Sequence, residues 1–215
     1  MTDFRQEFIG FAVKHGVIRF GEFKTKAGRM SPYFFNAGLF NDGLSMSTLS
    51  GYYAQAVKAS GIPFDMLFGP AYKGIPLATG AAIALVEKYD RNVPFAYNRK
   101  EAKDHGEGGN VIGAPLKGRV LIVDDVISAG TSVRESIDLI GANGAKPAGV
   151  VIALDRMEYG LSSELSAVQE VEREFGIPVI SVASLDDLVQ FLKSEPQYQS
   201  DLEAVLSYRR QYGVD

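Results

Sequence analysis

A chain of 215 residues, 46% hydrophobic and 22% charged, is large enough for one domain with a real core. Its net charge of -4 excludes a general electrostatic pull toward nucleic acid or anionic membrane, so any phosphate binding has to come from a local site. The absence of cysteine excludes disulfides and thiolate metal sites, and a cytoplasmic protein is the expectation. The opening MTDFRQEFIG carries a carboxylate and has no long apolar core, so no secretory signal is expected. Charges, Gly or Pro break every apolar run before the roughly 18 residues a membrane helix needs.

Phe4, Phe8, Phe11 and Ala12 recur at three- and four-residue spacing behind Thr2 and Asp3, predicting a first helix that ends near Gly16. His15, in VKHG, reads as a residue at that helix's C-terminal end rather than as a catalyst. Two short extended stretches follow, Val17 to Phe23 and Tyr33 to Phe35, then a helix from Ser45 to Ser60. Beyond it the chain alternates short apolar strands (Met66 to Phe68, Val93 to Tyr97, Val120 to Val123, Val150 to Leu154, Val179 to Val182) with helices (Pro76 to Lys88, Ser132 to Ile140, Ser163 to Phe175, Leu185 to Lys193). That alternation predicts an α/β fold whose mainly parallel sheet is covered on both faces. A last helix, Ser200 to Tyr212, opens with Ser200 and Glu203 in capping-box spacing. No internal repeat or inter-domain linker interrupts the chain, so residues 1–215 read as a single domain. The least structured interior stretch is RKEAKDHGEGGNVIG, Arg99 to Gly113.

Ligands of such a sheet collect beyond the carboxyl ends of its strands. The run VLIVDDVISAGTS, Val120 to Ser132, delivers Asp124 and Asp125 to one such end. Two adjacent buried carboxylates repel, and they become tolerable where ribose hydroxyls or a cation's water shell satisfy them. Ser128, Ala129, Gly130, Thr131 and Ser132 are small enough for backbone N–H groups and hydroxyls to crowd around an anion. A helix starting at Thr131 or Ser132, with Val133, Ile137 and Ile140 inward, adds its positive end. Neither GxxxxGK[ST] nor GxGxxG occurs, which excludes a Walker loop and a dinucleotide fingerprint. In GPAYKGIPLATG, Gly69 to Gly80, glycines flank Lys73 at the end of another strand, a suitable second phosphate contact, although alone it reads as a surface turn.

The Asp-Asp run with its small, hydroxyl-rich loop resembles the phosphoribosyl diphosphate signature of type I phosphoribosyltransferases. Ordered motifs from Phe4 to about Gly160 resemble, within that family, the orotate phosphoribosyltransferases. The resemblance implies that fold, with a small N-terminal hood formed mainly by residues 1–40. It also implies transfer of phosphoribose from 5-phosphoribosyl 1-diphosphate to orotate, giving orotidine 5'-monophosphate and diphosphate, in pyrimidine biosynthesis. By resemblance Asp124 and Asp125 hold the ribose hydroxyls, with Val126 and Ile127 in the same substrate-binding run. The loop from Ser128 to Ser132 holds the 5-phosphate, and Tyr72 and Lys73 face the diphosphate. YNRKEAKDHGEGGNVIG resembles the family's mobile catalytic loop, which closes over the diphosphate and reaches a neighbouring subunit. It brings Arg99, Lys100, Lys103 and His105, with Lys103 the most sensitive side chain expected and His105 a proton donor. By resemblance Phe34 and Phe35 in SPYFFNAG border the orotate ring, Lys26 in the same hood segment reaches the phosphoribosyl substrate, and Arg156 in ALDRMEYG matches the arginine for the orotate carboxylate. Read without the family, Arg156 is a surface ion pair with Asp155 or Glu158. Magnesium is expected to arrive on the diphosphate, keeping mostly water ligands, without a dedicated protein metal site. A homodimer sharing loop 99–113 follows from the resemblance, with neither nucleic acid nor membrane as a partner. Ser128 departs from the threonine of many relatives but keeps the hydroxyl. Two other readings stay open: transfer to a different base, and a phosphoribosyl-diphosphate sensor that regulates through nucleic acid.

Overall fold

The computed structural model describes residues 3–25, 28–100, 110–128, 130–160 and 164–214. The chain order is α1 (Phe4–Lys14), β1 (Ile18–Lys24), β2 (Met30–Phe35), α2 (Gly43–Ser60), β3 (Met66–Gly69), α3 (Gly74–Tyr89), β4 (Phe95–Asn98), β5 (Val111–Gly113), β6 (Arg119–Val123), α4 (Thr131–Ala142), β7 (Lys146–Asp155), α5 (Ala167–Phe175), β8 (Val179–Ser184), α6 (Leu185–Ser194) and α7 (Gln199–Tyr212). Single 3-10 turns sit at Ala37–Leu39 and Pro196–Tyr198.

A six-stranded sheet, β5-β4-β3-β6-β7-β8, is parallel except for the antiparallel edge strand β5. Its strands alternate sides with a period of two, as a pleated backbone requires. Leu67, Leu121, Val123, Val151 and Ala153 face α1, α2, α3 and α6 through Phe8, Leu49, Leu85 and Leu188. Phe68, Val120, Ile122, Val150 and Ile152 meet Val133 and Ile140 of α4 and Val168 and Val171 of α5. Both faces are therefore buried, which explains why the strands read as unbroken apolar runs.

From β3 the chain crosses by α3 to β4 on one side; from β6 it crosses by α4, on the opposite face, to β7 on the other side. The gap between the carboxyl ends of neighbouring β3 and β6 is thus the topological switch point, where an open α/β sheet offers a crevice. The separate β1-β2 ribbon, bulged between Phe20 and Phe23, stands apart from this sheet, within the residues expected as the hood. The end of the chain lies beside it: Val214 N–H donates to the Met157 carbonyl and Tyr159 N–H to the Tyr212 carbonyl, both at 2.8 Å.

Three expectations are corrected. The helix expected from Ser163 starts at Ala167, because Ser166 takes the cap and forms a capping box with Gln169. The last helix starts at Gln199, with no side-chain cap at Tyr198, so Ser200 lies inside it; the preceding 3-10 turn already directs the chain into the helix. Within the stretch 99–113, Val111–Gly113 is strand β5, paired with β4.

Candidate active site

Val120 to Val123 are buried, and the chain leaves β6 at Asp124 and Asp125, each only 7% exposed. Their partners come from the loop itself, from the start of α4, and from the loop that follows the neighbouring strand β3. Asp124 accepts from the Asp125 backbone N–H at 2.9 Å and from the Ser132 hydroxyl at 3.0 Å. Asp125 is paired with the Lys73 ammonium at 2.6 Å. Burial pushes the Asp124 carboxyl up to about 6, the Asp125 charge adds to the rise, and the bonds from Asp125 N–H and Ser132 oppose it. Tyr53, buried on α2, donates its hydroxyl to the Asp124 carbonyl at 2.7 Å, and burial holds that phenol well above its ordinary range, so it stays a donor.

Lys73 reaches Asp125 because the loop after β3 is pressed against β6. A Cβ on Gly69 would stand 2.1 Å from the Gly74 carbonyl oxygen, and one on Gly74 would stand 2.8 Å from the Val123 carbonyl oxygen. Only glycine permits that approach. Ala71 N–H donates to the Asn98 side chain at 2.7 Å, tying the same loop to the end of β4, and the Ala71-Tyr72 peptide is cis. At the end of the β4-β5 pair, Arg99 N–H donates to the Asn110 carbonyl at 2.8 Å. The expected catalytic loop therefore departs and returns at adjacent backbone positions beside Tyr72, over whose exposed ring the Lys100 ammonium sits at 4.9 Å.

Gly130, at φ 71°, turns the chain into α4, whose first turn has no side-chain cap, leaving Thr131 and Ser132 N–H groups and the helix's positive end at the loop. On one side of the 124–132 loop, a cavity of about 450 Å³ is bordered by Ala71, Asn98, Arg99, Lys100 and Ser132. On the other, a cavity of about 320 Å³ is bordered by Phe34, Phe35, Val126, Ile127, Ser128 and Arg156. Both sizes suit small-molecule binding. Val126 and Ile127 pack on the two hydrophobic cores while walling the second cavity. Phe35 is buried; Phe34 is 37% exposed and stacks on Phe23 with ring centres 5.4 Å apart.

Arg156 is no surface ion pair. Its Nε and Nη2 donate to one Glu158 carboxylate oxygen at 3.0 and 2.6 Å, Nη2 also donates to the Ser31 hydroxyl at 3.0 Å, and the guanidinium lies 4.2 Å over the Tyr33 ring. The Arg156 and Glu158 side chains are 22% and 14% exposed. Asp155 instead accepts from Met157 N–H at 2.9 Å. Lys26, Lys103, His105 and Ala129 lie outside the described residues.

The arrangement, two carboxylates and an uncapped helix start at a switch point flanked by two cavities, suits an anionic sugar phosphate. A family model described as "Phosphoribosyl transferase domain" matches residues 45–182. The chain is 67% identical over 215 residues to orotate phosphoribosyltransferase of Chromobacterium violaceum and 68% identical to that of Neisseria meningitidis serogroup B, with each pair covered in full. The chain belongs to the orotate phosphoribosyltransferase family. The solved orotate phosphoribosyltransferase of Francisella tularensis is 42% identical, with a TM-score of 0.88 over 97% of this chain and 100% of that one. The type I phosphoribosyltransferase fold and the enzyme class expected from the sequence are thereby established.

Side chains given no site role in the sequence gather around Arg156 in this orotate phosphoribosyltransferase relative. Arg29 donates to the Tyr159 and Gly160 carbonyls at 2.8 and 3.0 Å, and Glu158 accepts from the Tyr33 and Tyr208 hydroxyls at 3.4 and 3.2 Å. Burial drives both phenols up, Tyr208 to about 12, which keeps them protonated donors. The Arg156-x-Glu158 spacing was the available signal for the pair, but Tyr208 is 50 residues away in sequence.

Proposed function

We propose that this enzyme transfers the 5-phosphoribosyl group from 5-phosphoribosyl 1-diphosphate to orotate, releasing diphosphate and orotidine 5'-monophosphate, in pyrimidine biosynthesis. The observation that carries it is Arg156 in the wall of a cavity that opens beside the Asp124-to-Ser132 loop. A guanidinium there suits a carboxylate-bearing planar base, with Phe34 and Phe35 bordering its ring.

In this reading Asp124 and Asp125 hold the ribose hydroxyls, and Ser128, Ala129, Gly130, Thr131 and Ser132 hold the 5-phosphate at the start of α4. Lys73 and Tyr72, with Arg99 and Lys100, face the diphosphate. Lys103 and His105 are proposed to stabilise the departing diphosphate, His105 as a proton donor, and Lys26 to contact the phosphoribosyl substrate. The base nitrogen attacks the anomeric carbon as the bond to diphosphate breaks, its proton passes to a diphosphate oxygen or to water, and positive charge builds on the ribose ring near the two carboxylates.

Among the described residues, no three Asp, Glu or His side chains converge on a metal position. Asp124 and Asp125 are nevertheless hard oxygen donors, which fit magnesium held mainly by substrate oxygens and water. Held in that way, magnesium would neutralise charge on the diphosphate. We further propose one catalytic domain, working in the cytoplasm as a homodimer that shares the segment 99–113 between subunits. No described helix is long and apolar enough to cross a membrane.

A panel of orotate, uracil, adenine and hypoxanthine with phosphoribosyl diphosphate and magnesium tests the base assignment. Orotate is expected to exceed the others by about 30-fold or more in kcat/KM, since losing a paired charge costs about 2 kcal/mol or more; equal use of uracil would reject the role of Arg156. Sedimentation is expected to give a dimer, and a fully active monomer would refute the shared segment.

A further inference from the structure

In the wall of the base cavity beside Arg156, and behind it, lies a group of side chains that no step of the proposed reaction uses. Glu158 is its hub: it accepts from Arg156 twice, from Tyr33 at 3.4 Å and from Tyr208 at 3.2 Å. Tyr33 belongs to the hood strand β2 and Tyr208 to the final helix α7. Tyr208 is buried and does not border the cavity, so its hydroxyl can act on a bound base only through Glu158. The segment carrying Arg156 and Glu158 is clamped from the same direction: Glu158 bridges to Gly213, Val214 N–H donates to the Met157 carbonyl, and Met157 itself holds a φ of 50°. Arg29, over the Tyr212 ring at 4.9 Å, donates to the two carbonyls that follow Glu158.

A guanidinium with two edges can present only one of them cleanly to a carboxylate. The bonds described for Arg156 use Nε and Nη2, which leaves Nη1 to lead toward a ligand. Which edge faces the cavity is therefore fixed by where Glu158 stands, and Glu158 stands where Tyr33 and Tyr208 hold it.

We propose that Glu158 is a positioning residue for the base carboxylate, orienting the Arg156 guanidinium, and that Tyr208 of α7 sets Glu158, so that the C-terminal helix takes part in base selection. This rests on the assignment of orotate to the cavity. Glu158 also limits the site to ligands carrying their own negative charge: it compensates Arg156 when the cavity is without an anion, so a neutral base gains little from the guanidinium, whereas a carboxylate fits beside the outer edge.

Glu158→Gln keeps the shape and loses the charge; Tyr208→Phe removes one hydroxyl far from the ligand. Steady-state kinetics on both variants, with orotate and phosphoribosyl diphosphate varied in turn, separate positioning from general damage. The expected result is a KM for orotate raised about tenfold in Glu158→Gln and about threefold in Tyr208→Phe, the span that one misplaced or lost hydrogen bond gives. The KM for phosphoribosyl diphosphate is expected to stay within twofold in both. In Glu158→Gln the orotate-to-uracil preference is expected to shrink. An unchanged KM for orotate in both variants, or equal increases for both substrates, would overturn the inference. Wild-type enzyme that turns over uracil as well as orotate would instead overturn the orotate assignment itself, and the two failures are read from different proteins.

Discussion

Asp124→Asn is expected to give a protein that is more stable and nearly inactive. The folded chain holds the Asp124 proton up to about 6, whereas the ordinary carboxyl value is 3.8. Between those values the folded state binds more protons than the unfolded one, so the cost this group imposes on folding is full at neutral pH and is relieved as pH falls from about 6 to the ordinary value of 3.8. The gap corresponds to about 3 kcal/mol. Asparagine removes the charge while keeping an oxygen for the Asp125 N–H and an amide for the Ser132 hydroxyl, so about 1–2 kcal/mol of that cost is recovered. Thermal unfolding at pH 7.5 is expected to move up by about 3–6 °C. Activity goes the other way: without the charge beside the ribose ring, kcat/KM for phosphoribosyl diphosphate is expected to fall about 10²–10³-fold. In wild-type enzyme the same quantity is expected to decline below about pH 6, as Asp124 takes up its proton. An Asp124→Asn protein that is both less stable and fully active would show that the carboxylate is structural.

Arg156→Ala is expected to damage both properties at once. It strands Glu158, only 14% exposed, with two tyrosine hydroxyls and no cation, for a cost of about 3 kcal/mol. It also removes the group proposed for the base carboxylate, and kcat/KM for orotate is expected to drop about 10²–10³-fold while KM for phosphoribosyl diphosphate changes little. Arg156→Lys restores a charge but not the fork that serves Glu158, Ser31 and a ligand together, so it is expected to recover stability more than orotate use. The readouts are a melting curve and a substrate-resolved kinetic comparison. If the alanine variant kept its orotate kinetics, the guanidinium would be a piece of scaffold.

The two variants mark the boundary of what the amino-acid order reveals. Asp124 was legible because everything that defines it is local: an apolar strand, two carboxylates, small residues and a helix start within the run Val120 to Ser132. The parallel sheet was legible for a similar reason, since strands buried on both faces must be apolar throughout. Strand β5 was not, because Val111–Gly113 has only three residues and owes its conformation to pairing with β4. The early start of α7 depends on the 3-10 turn at Pro196–Tyr198, which outweighs the Ser200 and Glu203 spacing. Arg156 was visible as a cation after a strand, but its environment was not: Ser31 and Tyr33 come from the hood and Tyr208 from the last helix, and only the folded chain brings them to Glu158. Lys73 shows the same limit. Flanking glycines raised a phosphate contact for it as an expectation, whereas its pairing with Asp125 arises from the Gly69 and Gly74 backbone pressing on β6.

The most direct test follows the ultraviolet absorbance of orotate when the protein is mixed with phosphoribosyl diphosphate and magnesium, with diphosphate release measured in parallel. Loss of orotate absorbance matched one to one by diphosphate, and abolished by omitting magnesium or by Lys103→Ala, is the predicted result. Unchanged absorbance from a folded protein that still binds phosphoribosyl diphosphate would contradict it, and would point to a different base or to a sensor in its place.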